Sequence, residues 1–401
     1  MDNQLKKQAK KEASGRNVVP AVAAESQPLT GHAARPVSQF EAIKEVFTGS
    51  YINLLLFVAP FAIWSYMANW GPIWIFVLNF LTMMPLANIL GEATETLAEH
   101  TGDTIGGLVN ASFGNAVEII IAIFALKAGE IELVQSSLIG SMLSNLLLVL
   151  GMCFVSGHFG GAKECSFSGA GASINMSLLF VSSFAMLVPT YYQETKTHDS
   201  EIEHDEAVLS LSHISAIFLV LMYAQLMYFQ LVTHKPEDEE KEEEHKPALS
   251  MSSSMIILCL ATVAVAFFSE FLVSSVNEVT ETSGIPKDFI GIILLPIVGN
   301  AVEHITALKV AYKNNMELAM GVAVGSATQI SLFVVPVCVI AGWIMGEKMT
   351  LAFKTFEALT YIFATLIVYV VVADGKSNWL EGSMLLTLYC LVGLSLLEIT
   401  I

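Results

Sequence analysis

Long apolar runs, separated by short polar connections, dominate the chain from about residue 50 to its end. Each run holds about 18 to 25 residues, enough for a helix that rises about 1.5 Å per residue to cross roughly 30 Å of hydrocarbon. The runs lie at about 51–69, 72–99, 105–126, 132–156, 168–190, 207–233, 251–280, 289–312, 318–345, 352–373 and 379–400. The pattern predicts an all-α polytopic membrane protein with 11 transmembrane helices.

Two polar segments interrupt this pattern. Residues 1–48 carry seven Lys or Arg and no apolar core, so we expect a disordered cytosolic tail. No short apolar region follows the basic stretch, as a secretory signal peptide would require. Residues 234–248 hold seven acidic residues and three lysines. Such a charge run is either a solvated cytosolic linker or a segment that gathers divalent cations near a pore mouth.

Composition and charge narrow the class of protein further. Hydrophobic residues make up 54% of the chain, charged residues only 14%, and the mean hydropathy is +0.63. This is more apolar surface than a soluble core hides. The net charge of -18 excludes a nucleic-acid partner bound through basic patches and leaves membrane lipid as the surrounding partner. The five cysteines form neither a readable disulfide framework nor a CxxC metal site.

The distribution of Lys and Arg predicts the orientation. With the N-terminus in the cytosol, 14 of the 19 basic residues fall on the cytosolic side. We therefore expect a cytosolic N-terminus and a C-terminus on the opposite side of the membrane.

An internal repeat organises the predicted helices. Residues 114–118 (GNAVE) recur unchanged as 299–303, and at this offset of 185 residues 105–153 give 16 identities in 49 positions. The two copies lie five crossings apart, so they run in opposite directions through the bilayer. We predict one extra helix at 49–70, a first five-helix repeat at 71–233 and an inverted second repeat at 249–401.

Each copy of the repeat places a carboxylate deep inside an apolar run: Glu118 in the first and Glu303 in the second. An ionisable group at the centre of a bilayer costs at least about 2.5 to 3.5 kcal/mol, so it is a functional candidate. One such glutamate is often a protonated contact between helices. Two at matching positions in inverted copies favour an ion-binding pair.

The neighbouring residues complete a set of oxygen ligands for a hard divalent cation. Ca²⁺ takes six to eight oxygens from carboxylates, amides, backbone carbonyls and water. Gly114 and Asn115, with Gly299 and Asn300 in the second copy, offer places where a helix breaks and frees its carbonyls. Pro296 makes the break in the second copy more favourable, because proline removes an amide donor. These four residues and the two glutamates form the predicted metal site.

Further polar residues are candidates for an auxiliary ion path. Gly-Ser pairs at 140–141 and 325–326 allow close helix approach, although small residues in membrane helices often serve packing alone. His304 either tunes Glu303 and joins a proton path, or is a satisfied buried histidine. Glu95 and Glu281 either form a proton access path or lie at helix ends in water. The candidates for this path are Ser141, Ser326, Ser144, Gln135, Gln329, Glu95, Glu281 and His304, and Asn145 is a further possible oxygen donor.

Electrostatics predicts how such a pair couples two ions. An empty site with two ionised carboxylates is costly to bury, whereas one Ca²⁺ or two protons neutralise it. Competition for the same oxygens then yields exchange by alternating access. No cofactor is expected, because Ca²⁺ and H⁺ are themselves the transported ions.

The two motif regions, GNAVEIIIAIFALKAGEIELVQSSLIGSMLSNLLLVLG and GNAVEHITALKVAYKNNMELAMGVAVGSATQISLFVVP, resemble the signature repeats of the calcium/proton exchangers of fungal and plant vacuoles. The resemblance covers about residues 50–400. It implies 11 helices, an acidic segment after the sixth, a Ca²⁺ site built by Glu118 and Glu303, and a vacuolar membrane location. Sodium/calcium exchangers of the same superfamily usually carry G-T-S-x-P-E or a close variant, so Asn-Ala-Val here indicates protons as the counter-ion.

Other functions stay open at the level of sequence. The leading hypothesis is an antiporter that exchanges cytosolic Ca²⁺ for luminal H⁺. A sodium-driven or manganese-preferring exchanger is the runner-up, and a divalent cation channel would share an acidic pore. An intramembrane enzyme is not expected, because no nucleophile or His and Asp metal ligands accompany the glutamates. The sequence does not indicate an oligomeric state.

Overall fold

The structure is a computed structural model that describes residues 38–195, 201–234 and 249–398. The predicted tail up to residue 37 and the predicted acidic linker from residue 235 lie outside the described residues.

Helices make up almost all of the described chain. They are α1 (Gln39–Thr48), α2 (Ala59–Met67, after a 3₁₀ segment Tyr51–Val58), α3 (Pro72–Thr101), α4 (Asp103–Phe113), α5 (Ala116–Lys127), α6 (Ile131–Phe159), α7 (Gly169–Thr195), α8 (Ile202–Thr233), α9 (Met251–Ser283), α10 (Lys287–Tyr312), α11 (Met316–Met345), α12 (Thr355–Val372) and α13 (Trp379–Glu398). The two short strands are β1 (Cys165–Ser166) and β2 (Lys376–Ser377), which pair antiparallel.

Nine helices in the described part of the chain are long and apolar enough to cross a membrane. They are α3 and α6 to α13. The segment Tyr51–Met67 forms one more with α1, if the pair counts as a single span bent by 79°. The predicted third span is divided between α4 and α5. The helical, polytopic character predicted from the apolar runs is therefore confirmed.

The end of the predicted tail is helical, so the expectation of disorder up to residue 48 is wrong for residues 39–48. Ser38 caps α1, because its Oγ accepts the Glu41 N–H at 3.2 Å and its own N–H donates to Glu41 Oε2 at 3.2 Å. Ala42 and Val46 lie on one helical face and are buried. This short amphipathic helix was not predicted, because the basic residues of segment 1–48 indicated a disordered tail.

The two copies of the GNAVE motif differ in backbone structure. In the first copy α4 ends at Phe113 and α5 begins at Ala116, so the predicted break at residues 114–115 is confirmed. In the second copy the prediction is wrong, because α-helical structure runs unbroken through Gly299 and Asn300. The irregular part is a π-helical turn at Ile290–Leu294. Pro296 follows it in the first turn of the next α-helical segment, where the missing N–H of proline removes a donor from the helix beside the π-helical turn.

Helices α6 and α10 approach each other backbone to backbone. A Cβ added at Gly140 would lie 2.6 Å from Ile292 Cα, and one added at Gly291 would lie 2.7 Å from Ser136 Cβ. Larger residues would force the helices apart at either point. The close contact brings the motif helix of the second copy against the helix that follows the first motif.

Contacts between connecting segments define the two ends of the bundle. At one end β1 pairs with β2, so the connection after α6 meets the one after α12. At the other end Lys287, the first residue of α10, forms an ion pair with Glu130, directly before α6. Burial opposes ionisation of Glu130, but hydrogen bonds from Lys287 and Asn277 and the charge of Lys287 outweigh it and hold the pKa of this carboxyl below its ordinary value.

Candidate ion-binding site

Glu118 lies in the first turn of α5, directly after the helix break. The amide dipoles of a helix N-terminus favour a negative charge at this position. The Glu118 carboxylate faces α10 and packs against Gly299 of the second motif. A Cβ at position 299 would lie only 2.7 Å from Glu118 Cδ. The glycine of one copy thus makes room for the carboxylate of the other.

A cavity adjoins this contact. It has an empty volume of about 300 Å³ and lies between α5, α6 and α10. It is lined by Glu118, Ile121, Ser137, Leu138, Ser141, Leu295, Pro296 and Gly299. Most of the lining is apolar, so Glu118 and the two serines are the groups that an ion in this cavity would meet.

Glu303 occupies the matching position in the second copy. Within the described residues its carboxylate, unlike that of Glu118, accepts a side-chain hydrogen bond from a neighbouring helix. Ser326 Oγ of α11 donates to Glu303 Oε2 at 3.2 Å, and Asn145 Nδ2 of α6 donates to Ser326 Oγ at 3.3 Å. The carboxylates of Glu118 and Glu95 lie close enough to Glu303 to repel its charge. The charges of Glu118 and Glu95 therefore both act on Glu303.

The motif asparagines connect the two halves of the chain. Asn115 Nδ2 donates to Gln329 Oε1 at 3.1 Å, and Asn300 Nδ2 donates to Ser141 Oγ at 3.4 Å. Each asparagine thus bonds a residue from the other copy of the repeat. The pair of contacts fixes the two motifs against each other around the cavity.

Three buried oxygens at this site accept no hydrogen bond from the described residues. They are Asn115 Oδ1, Glu118 Oε2 and Asn145 Oδ1. Buried acceptors without a donor are costly, so their position calls for a ligand that supplies positive charge or a proton. No three His, Cys, Asp or Glu side chains form a metal cluster within the described ranges. A cation here would be held by the two motif glutamates with amide, hydroxyl and backbone oxygens, a set that suits a hard ion.

The remaining predicted residues fall in three places. His304 Nε2 lies 3.5 Å from Ser144 Oγ, so these two candidates meet beside Glu303. Gln135 lies elsewhere, because its amide donates to the backbone oxygens of Thr350 and Ala352 at one end of the bundle. Glu281 is exposed near the end of α9.

Ser137 and Leu138 of the cavity wall were not among the residues predicted from the sequence. Nor was the buried Glu357, which accepts a hydrogen bond from Ser136, the residue before Ser137. Ser137 precedes Ser141 by four residues, so the two share one helical face, and this spacing was a usable signal. Glu357 offered no such signal, since it lies in the first turn of α12, where a carboxylate usually meets water.

The chain resembles known ion exchangers along most of its length. The sodium/calcium exchanger protein family matches residues 71–232 and 253–396. A vacuolar calcium ion transporter of Schizosaccharomyces pombe is 40% identical over 88% of this chain and 86% of its own length. A Ca²⁺/H⁺ antiporter of Aphanothece halophytica is 41% identical over 86% of this chain and 95% of its own.

A solved structure shares the fold. Native YfkE superposes with a TM-score of 0.74 at 34% identity and covers 87% of this chain and all of its own. A selenium-substituted form of YfkE is described as a Ca²⁺/H⁺ antiporter.

Proposed function

Since the chain belongs to the sodium/calcium exchanger protein family, we propose that it is a secondary antiporter that exchanges cytosolic Ca²⁺ for luminal H⁺. The observation that carries the proposal is the contact of the Glu118 carboxylate with Gly299, one helical turn before Glu303, beside buried oxygens of Asn115, Glu118 and Asn145 that have no hydrogen-bond partner among the described residues. The relatives described as a calcium ion transporter and a Ca²⁺/H⁺ antiporter support the same substrates. The protein is a carrier and not an enzyme.

Ca²⁺ and protons compete for the same oxygens in this proposal. Ca²⁺ binds between the carboxylates of Glu118 and Glu303, with Asn115, Asn300 and the backbone at the helix break at Gly114 as the remaining ligands, while Gly299 makes room for the Glu118 carboxylate. Two ionised carboxylates in a site walled by apolar side chains repel each other, so the empty charged state is disfavoured. One Ca²⁺ or two protons remove the repulsion, and both loaded states can change the side to which they open. Exchange follows without a separate coupling device.

The counter-ion is a proton in this proposal. The motif carries Asn-Ala-Val before its glutamate, unlike the Thr-Ser and proline typical of sodium-coupled members. The descriptions of the relatives as a Ca²⁺/H⁺ antiporter and as vacuolar cation/proton exchangers support this choice over sodium.

We also propose the full topology of 11 crossings, with an extra helix at 49–70 and two inverted repeats at 71–233 and 249–401. The family matches each proposed repeat separately, which supports this division. The count requires α4 and α5 to form one broken crossing and Tyr51–Met67 to cross as well. The contacts at the two ends of the bundle support this count, because the two segments joined at each end fall on the same side of the membrane in the proposed topology.

The proposed location is the vacuolar membrane, with the N-terminus in the cytosol. The vacuolar relatives and the excess of basic residues on one side support it. Membrane lipid surrounds the bundle, no cofactor is needed, and Gln329, Ser326, Ser144 and His304 line the auxiliary ion path.

Calcium uptake by vesicles that contain only this protein tests the function. We expect uptake when the vesicle interior is acidic and no sodium is present, and no uptake when a protonophore removes the pH gradient. Uptake driven only by a sodium gradient would instead indicate the sodium-driven alternative. Calcium flux that continues without any gradient of counter-ion would indicate a channel.

A further inference from the structure

A second buried carboxyl network lies at the end of the bundle formed by the connections before α6, α10 and α12. Its centre is Glu357, in the first turn of α12, which is only 1% exposed. Ser136 Oγ of α6 donates to Glu357 Oε1 at 2.5 Å. Glu357 Oε2 is buried and has no hydrogen-bond partner among the described residues. One carboxyl oxygen is therefore open for a ligand in a site closed to bulk water.

Lys354 carries a positive charge near Glu357 but forms its ion pairs with two other carboxylates, Asp288 and Glu132. Lys354 Nζ donates to both oxygens of Asp288, at 3.0 and 2.9 Å. Lys354 also lies 3.6 Å from Glu132, whose side chain is 67% exposed. Burial disfavours the Lys354 charge, but Asp288 and Glu132 outweigh it and raise the pKa of this ammonium group. The lysine thus stays charged and is already shared by two carboxylates.

The network is joined to the candidate ion-binding site through two helices. Ser136 is followed by Ser137, which lines the cavity beside Glu118. Asp288 lies at the start of α10, the helix that carries Gly299 and Glu303. The α6 and α10 backbones touch between the two sites, where Gly291 packs against Ser136. A change of charge at Glu357 therefore acts on both helices that wall the cavity.

The geometry points to Glu357 as a further proton-binding carboxyl of the exchange cycle, at the opposite end of the bundle from the β1–β2 pair. This inference rests on the proposed antiport function. The proton binds at Oε2 from the adjoining aqueous compartment, gives the neutral acid, and returns to that compartment when the carboxylate reforms. In the proposed topology the compartment is the lumen, which supplies the protons.

A proton suits this site better than a metal ion. A divalent metal ion needs several oxygen ligands, and both oxygens of Asp288 already accept from Lys354, whereas a proton needs only the one oxygen of Glu357 that lacks a partner among the described residues. A neutral acid also removes the repulsion between Glu357 and Asp288, which is buried nearby. The other charged neighbour is Glu194 of α7, which accepts a hydrogen bond from Thr355 Oγ1 at 3.0 Å.

The variant Glu357→Gln separates the possible roles, because glutamine has the shape of the protonated acid but cannot release a proton. The matched control is Glu132→Gln, which removes an exposed carboxylate near the same lysine. Both full-length proteins would be reconstituted in vesicles. Calcium binding, thermal unfolding and the dependence of calcium uptake on internal pH would be measured for each.

We expect Glu357→Gln to fold and bind Ca²⁺ as the unmodified protein does, but to exchange about tenfold more slowly and with a flattened response to internal pH. Glu132→Gln should keep the unmodified pH response. An unchanged pH response in Glu357→Gln would overturn the inference, because the acid would then be permanently protonated. A large loss of thermal stability would overturn it too, because the carboxylate would then be permanently ionised and structural.

Infrared spectroscopy gives a readout that does not depend on transport. In a background with Glu118→Gln and Glu303→Gln, the carboxylic acid band of Glu357 should appear and disappear as pH is changed, and Glu357→Gln should remove it. If vesicles with the unmodified protein show no proton-driven uptake, the proposed function fails, while this band still shows whether Glu357 binds a proton. A band that does not change with pH would contradict the inference alone.

Discussion

The two copies of the GNAVE motif are identical in sequence but differ in their surroundings. In the first copy the helix breaks, and Glu118 lines the cavity with one carboxyl oxygen that has no hydrogen-bond partner in the described part of the chain. In the second copy the helix continues, and Glu303 is fixed by Ser326. The aligned serine of the first copy, Ser141, does not contact Glu118 in this way but accepts from Asn300.

The repeat therefore supplies a glutamate at the same position in each copy. The neighbouring helices place Glu118 and Glu303 in different surroundings, so the two side chains have different roles. Glu118 has an open oxygen and faces the cavity, so it is the group that an arriving ion meets first. Glu303 is oriented in advance by a chain of hydrogen bonds through Ser326 and Asn145, so it completes the site without a large loss of side-chain freedom.

The largest expected effect is the loss of either carboxylate, which tests whether the two copies are equally necessary. Glu303→Gln leaves one carboxylate for a divalent ion and should weaken calcium binding by about 3 kcal/mol, or roughly a hundredfold. Calcium titration of the purified protein measures this. Binding that stays within about threefold of the unmodified protein, a difference near 0.7 kcal/mol, would show that the second copy is not a ligand.

Gly299→Ala tests the close contact between the copies. The added Cβ would collide with the Glu118 carboxylate, so we expect calcium affinity to fall about tenfold, at a cost of roughly 1 to 3 kcal/mol for overpacking. Gly91→Ala is the matched control, because a Cβ there meets nothing within 4 Å. Equal calcium affinities in the two variants would contradict the described contact.

Ser326→Ala and Ser141→Ala test whether the two aligned serines have different roles in the two copies. Ser326→Ala removes a donor to the Glu303 carboxylate, so it should strengthen proton competition at this group and weaken calcium binding by about 1.5 kcal/mol, roughly tenfold. Ser141→Ala removes an acceptor for Asn300 and one hydroxyl of the cavity wall but no donor to a motif carboxylate, so it should cost less, about 1 kcal/mol or below. Calcium titrations of both variants at several pH values measure the two effects. A larger effect of Ser141→Ala than of Ser326→Ala would contradict the roles given to the two serines.

The smallest effect concerns the ion pair that joins the two halves at one end. The pKa of Glu130 is lowered in the folded protein, so its carboxylate stabilises the fold above its ordinary pKa of 4.5. This stabilisation is lost as the pH falls through the lowered folded value. Glu130→Gln should therefore reduce stability by about 1 kcal/mol at neutral pH and by less in acid. Thermal unfolding across this pH range checks the trend, and a difference that grows in acid would contradict it.

The sequence predicts the helices and the paired glutamates because both depend on local pattern and on the repeat. Glu118 and Glu303 are recognisable as intramembrane charges in matching positions, and Asn115 and Asn300 follow from the same motif. The π-helical turn of the second copy is not predictable in this way, because a proline can either begin a helical segment or interrupt one, and the sequence around Pro296 is the same in both cases.

Contacts between side chains of different helices cannot be predicted from the sequence. Gln135 belongs to the correct helix but bonds to the 350–352 connection, since its face is set by packing between helices. Glu357 stands near a helix end in sequence, yet it is buried against Ser136 of α6 and Asp288 of α10. Contacts of this kind depend on how helices from both halves meet, which a local pattern does not encode.

Calcium uptake into vesicles that contain only this protein, with an imposed pH gradient and with or without Glu118→Gln, tests the central claim most directly. The account predicts proton-driven uptake by the unmodified protein. It also predicts that uptake by Glu118→Gln equals that of protein-free vesicles, although the variant unfolds at a similar temperature. Proton-driven uptake that survives in Glu118→Gln would contradict the claim that Ca²⁺ and protons compete for the motif carboxylates.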